Sequence, residues 1–80
     1  MTYYAAQSPR GFANEINVYS FTSRSARDAW VNEHKDDGDV NSATRGAYAV
    51  TAREASRIMR DRGDAATDSY NSRTPIEVRD

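Results

Sequence analysis

The side chains able to do chemistry in this chain are charged ones, gathered into two blocks of opposite sign. Between Asp28 and Asp39 five carboxylates (Asp28, Glu33, Asp36, Asp37 and Asp39) stand against one cation, Lys35. Between Arg45 and Arg62 five arginines stand against two carboxylates, Glu54 and Asp61. Within the second block Arg53, Arg57 and Arg60 recur at i, i+4 and i+7, which makes one stripe of a helix. Guanidinium groups in a row suit phosphates or carboxylates, each gripped by paired N–H donors. A run of carboxylates does the converse and can occupy a basic groove built for nucleic acid. The plain alternative for both blocks is a solvated surface, with Arg24–Asp28 and Arg57–Asp61 as i, i+4 pairs worth about 0.3 kcal/mol each.

Groups for catalysis are scarce. The chain has one histidine, His34, no cysteine, and four isolated glycines that form no phosphate-cradling loop. His34 falls near the end of an expected helix, a place that suits a solvated imidazole. Asp36, Asp37 and Asp39 with Asn41 have the composition of a calcium loop, but the spacing lacks the Gly and the terminal Glu which such a loop requires. The expectation is therefore a protein that is no enzyme and that holds no metal or cofactor.

The elements that must carry these blocks are set out by an internal repeat. Tyr19-Ser20-Phe21-Thr22-Ser23-Arg24-Ser25-Ala26 returns twenty-nine positions later as Tyr48-Ala49-Val50-Thr51-Ala52-Arg53-Glu54-Ala55, and Ala29-Trp30 is answered by Ile58-Met59. Each copy predicts a short strand leading through a Thr or Ser cap into an amphipathic helix. Ile16 to Phe21 alternates, with Ile16, Val18 and Ser20 on one side and Asn17, Tyr19 and Phe21 on the other. Thr22 or Ser23 caps a first helix that runs to about Lys35 on a stripe of Ala26, Ala29 and Trp30.

Strand Ala47–Val50 leads to Thr51-Ala52-Arg53-Glu54, a capping box with Val50 and Ala55 placed as a hydrophobic staple. The second helix buries Ala52, Ala55, Ile58 and Met59 and ends at Gly63. Residues 2–6 predict a short edge strand, and Pro75 to Arg79 a last strand at a sheet edge, where a proline is tolerated. The fold class expected is α+β: one domain over residues 1–80, with tandem β-α units at about 16–35 and 47–63. A sheet of two to four strands carries both helices on one face, and the two repeat strands are parallel if they are neighbours.

Eighty residues without a single Leu or Cys make a small core with no covalent staple. Such a core supplies a net stability of about 3–5 kcal/mol, so a partner or a homodimer would add what it lacks. No apolar run reaches the length of a membrane span or a signal peptide, so a soluble, cytoplasmic protein is expected. The net charge of −1 gives no global pull toward nucleic acid or membrane. Of the five tyrosines, Tyr19 and Tyr48 match in the repeat and should pack on the sheet, while Tyr3, Tyr4 and Tyr70 are placed either to meet a partner or to fill a terminal core.

With Arg27-Asp28-Ala29-Trp30 and Thr51-Ala52-Arg53-Glu54-Ala55 in view, the chain resembles the short accessory proteins encoded by phages and mobile elements of GC-rich bacteria. The arginine-rich, cysteine-free composition and the segregated charge belong to the same resemblance. That pool includes the anti-CRISPR inhibitors of type I Cascade complexes. The resemblance implies a mode of action and assigns no residue: stoichiometric binding to a nucleoprotein machine, as a DNA mimic, so that target DNA is not engaged.

The expected function is then a non-enzymatic inhibitor whose Asp28, Glu33, Asp36, Asp37 and Asp39 pair with a basic groove of a Cas complex. The alternative is a small nucleic-acid-binding regulator that uses Arg53, Arg57 and Arg60. A virion assembly protein is a third reading, marked by defined oligomers.

Overall fold

A computed structural model describes residues 1–8, 16–38, 45–65 and 75–78 of the chain. The elements run β1 (Tyr3–Gln7), β2 (Asn17–Phe21), α1 (Arg24–His34), β3 (Tyr48–Val50), α2 (Ala52–Ala65) and β4 (Ile76–Glu77). They form an α+β fold with a four-stranded mixed sheet in the order β3-β1-β2-β4. β1 pairs antiparallel with both β2 and β3, and β4 joins β2 in parallel. The tandem β-α units are therefore present as β2–α1 and β3–α2.

The first strand is central rather than at the edge. β1 lies between the two repeat strands, which run parallel to each other without being neighbours. Its composition explains the place. Ala5 and Ala6 are each 0% exposed, so both sides of this strand are covered, and alanine allows both covering layers to approach closely. Pairing with strands on either side satisfies the N–H and C=O groups that an edge would leave open.

The placing of both helices on one face is also corrected. Directly paired residues share a side of a sheet. Tyr3, Ala5 and Gln7 stand opposite Phe21, Tyr19 and Asn17, and this side meets α1 through Trp30, whose ring centroid lies 4.5 Å from that of Tyr19 and 5.5 Å from that of Phe21. Tyr4 and Ala6 stand opposite Val50 and Tyr48 on the other side, where Ala6, Val18 and Val50 form a core with Ala55 of α2. Tyr4, Ile16, Tyr48, Ile58 and Met59 pack around that core.

The physical reason lies in the strand order. The chain crosses from β2 to β3 in one direction and from β3 to β4 in the other. Parallel crossovers share one hand, so two that travel in opposite directions must leave their helices on opposite faces. The repeat becomes an approximate two-fold rotation about β1, offset by one residue: Tyr19 opposes Ala5 on one face, Tyr48 opposes Ala6 on the other.

The caps follow the local chemistry. Ser23, in extended conformation (φ −136°, ψ 153°), accepts from the Ala26 amide at 3.1 Å, and Thr51 Oγ1 accepts from the Glu54 amide at 3.1 Å. Thr51→Ala should lower stability by about 1 kcal/mol. A shift of the urea midpoint shows this, and an unchanged midpoint would assign the start of α2 to packing alone. Glu54 also turns toward Arg57, whose guanidinium lies 4.0 Å from its carboxylate.

Helix ends and stripes differ in detail from the sequence pattern. α2 continues through Gly63 to Ala65. An interior glycine costs only about 1 kcal/mol, and the alanine beyond it favours helix. Ala29 and Ala52 are exposed rather than inward. In α1 the inward row is Arg27, Trp30 and His34, because a long arginine stem covers Tyr3 better than a methyl group would. β4 holds the expected edge, with Val78 N–H donating to the Ser20 carbonyl at 3.0 Å; Arg79 lies outside the described residues. Among the described residues no helix is long and apolar enough to cross a membrane.

Candidate functional site

The sheet separates the two charged blocks. α1, with the acidic block, covers one face; α2, with the arginine stripe, covers the other. The acidic block does not form a single surface. Asp28, Glu33 and Asp36 are exposed; at 100° per residue Asp28 and Glu33 point roughly 140° apart around α1, and Asp36 lies in the turn beyond it. Asp28 accepts from Arg27 at 2.9 Å, although its side chain remains 57% exposed. The Arg27 side chain, 15% exposed, spans from Asp28 to the ring of Tyr3, 5.7 Å from its centroid. This pair takes the place of the expected Arg24–Asp28 pair.

Asp37 is half-exposed and folds back along the chain. Its Oδ2 lies 2.7 Å from His34 Nδ1 and 3.4 Å from Gln7 Nε2. His34 is half-buried rather than solvated, with its ring 4.8 Å from that of Trp30. Trp30 thus fastens α1 to β2, and Asp37, held by His34, reaches β1 through Gln7. Sequence spacing places His34 at the helix end, but its stacking depends on Trp30 one turn back and on the strand beneath. Asp39 lies outside the described residues, as do Asn41 and Tyr70. Among the described residues no three His, Asp or Glu side chains come together as metal donors.

The arginine block keeps its expected geometry. Arg53, Arg57 and Arg60 are exposed along α2. With Thr51, Glu54 and Ser56 they line a concavity of about 640 Å³. The three arginines span about 10.5 Å of the helix axis. Glu54, at 4.0 Å from Arg57, is the acid paired with them among the described residues; the Asp61 side chain is outside the description.

Arg45, counted in the basic block, makes a contact that the sequence reading did not include. The Arg45 guanidinium lies 3.6 Å from the centroid of the Tyr48 ring, on the α2 side of the sheet. An Arg three residues before a strand tyrosine was the available signal.

The tyrosines resolve by position. Tyr19 packs on Trp30 and Tyr48 on the α2 core, as the repeat suggests. Tyr3 and Tyr4 are half-buried on opposite faces of the central strand, so they serve the core. The chain matches no protein-family model, no curated protein and no solved structure.

Proposed function

We propose that the chain is a non-enzymatic inhibitor that binds another protein through the solvent face of α1, and that its target is the nucleic-acid groove of a Cascade-type complex. The observation that carries this reading is the exposure of Asp28 and Glu33 on a helix fastened from behind, with Asp36 exposed in the turn that follows it. A fixed scaffold holds the carboxylates at set separations without the entropy loss of ordering a loop. A basic groove would attract such a surface over several ångströms, and the attraction would screen with salt.

The test is target-duplex binding by a purified Cascade-type complex, followed by fluorescence anisotropy as this chain is added. Suppression should reach completion near one equivalent. The combined reversal Asp28→Lys, Glu33→Lys and Asp36→Lys should raise the required concentration at least about tenfold, with the far-UV circular dichroism unchanged; loss of a few charged contacts of about 0.5 kcal/mol each accounts for that factor. Full inhibition by the reversed protein would remove α1 from the contact. No suppression by the parent protein at excess would remove the Cascade target.

A further inference from the structure

From the concavity on α2, we propose a second, independent binding site that takes the phosphate backbone of a nucleic acid without reading its sequence. It lies on the face opposite α1, and its failure would leave the α1 reading untouched.

The exposed arginines point to the class of ligand. Thr51, Arg53, Glu54, Ser56, Arg57 and Arg60 are all hydrophilic. Protein interfaces draw most of their affinity from a few apolar or aromatic anchors that lose water at the centre. No such anchor lines this concavity among the described residues. The described residues offer a ligand charge and hydrogen bonds, and a phosphate backbone matches both in a row.

The spacing fits. Arg53 to Arg57 advances about 6 Å along the helix and Arg57 to Arg60 about 4.5 Å. Successive phosphates of one strand advance about 3.4 Å along the duplex axis. Arginine side chains are long enough to bring three guanidinium groups onto neighbouring phosphates across that interval. Thr51 and Ser56 add hydroxyl donors of the kind that commonly contact phosphate oxygens.

The net charge of −1 does not oppose this. The carboxylates of α1 lie across the sheet, in a domain whose shortest extent is 19 Å. The screening length at physiological salt is about 8 Å, so an anion on α2 feels the local arginines far more than the distant acids. A nucleoprotein partner would present a basic groove to one face and a phosphate backbone to the other.

The experiment is anisotropy of a short labelled duplex and of a labelled single strand, titrated with the intact chain over a range of salt. Both should bind. For three neutralised phosphates, duplex affinity should fall about 40-fold between 50 and 200 mM salt, from a log–log slope near −2.7. Arg53→Ala, Arg57→Ala and Arg60→Ala together should weaken duplex binding at least tenfold and flatten the slope, while circular dichroism stays that of the parent. Binding that persists unchanged in this variant, or no duplex binding at low salt, overturns the proposal. So does a poly-glutamate chain that competes as well as duplex at equal charge, which would assign the site to an acidic protein segment.

Discussion

Trp30→Ala should leave most molecules unfolded at room temperature. No residue of α1 is fully buried, so the helix is held by a few large contacts rather than by a continuous apolar stripe. Trp30 supplies the centre of these: its ring meets Tyr19 and Phe21 below and His34 one turn along. Removing a packed Trp costs about 3–5 kcal/mol. Against the few kcal/mol available to an 80-residue core without Leu or Cys, that loss is most of the total.

Because Trp30 is the only Trp, its fluorescence reports the parent protein, and the variant must be followed by circular dichroism. Trp30→Phe, which keeps a ring against Tyr19 and Phe21, should recover part of the loss. A Trp30→Ala protein with the parent's urea midpoint would show that α1 is anchored elsewhere.

The same residue shows where sequence reasoning succeeds. Trp30 pairs with Met59 in the repeat, and both face the sheet. The repeat, the Ser23 and Thr51 caps, the alternation in β2 and the late edge strand are local patterns, each carried by a few adjacent side chains. What was illegible was relational. Tyr3-Tyr4-Ala5-Ala6 contains two small residues of modest strand preference at a chain end, which suggests an edge. They are small because helices press on both sides, and nothing within five residues states that. The opposite placement of α1 and α2 follows from strand order, which in turn follows from β1 entering the middle.

For the site, the arginine stripe was legible because helical periodicity alone fixes it. The acidic block was only partly so. Sequence counts charges but not their partners, and Asp28 and Asp37 already hold Arg27 and His34. The expected partner of Asp28 was Arg24, but Arg27 holds it, since its apolar stem can cover an aromatic ring while its head reaches Asp28.

Gly46→Ala should be nearly as damaging, for a reason located in the backbone rather than in any side chain. A Cβ at position 46 would stand 2.6 Å from the Lys35 carbonyl carbon, nearer still to its oxygen, and 3.2 Å from the His34 oxygen. Those atoms belong to the last turn of α1 and cannot rotate away as a side-chain tip could. The strand entry is fixed on both sides of the glycine: Ser8 N–H donates to the Arg45 carbonyl, and Ala47 N–H donates to the His34 carbonyl, each at 3.1 Å. Relief of the clash must pull residues 45–47 off α1 or push the helix end off β1.

Overpacking of this kind costs about 1–3 kcal/mol. Each hydrogen bond broken in the relief adds about 1 kcal/mol. The sum approaches the stability of the domain. Trp30 fluorescence against urea should show the midpoint falling by more than half, and hydrogen exchange at the Ala47 amide should quicken before the global transition. A midpoint equal to the parent's would mean that α1 and β3 meet less closely than this. The outcome also bears on both binding faces. The His34 carbonyl that holds Ala47 belongs to the helix that presents the carboxylates, and Ala47 leads through β3 into the arginine helix. The glycine is thus the point where the two β-α units are joined, and a methyl group there should disturb both at once.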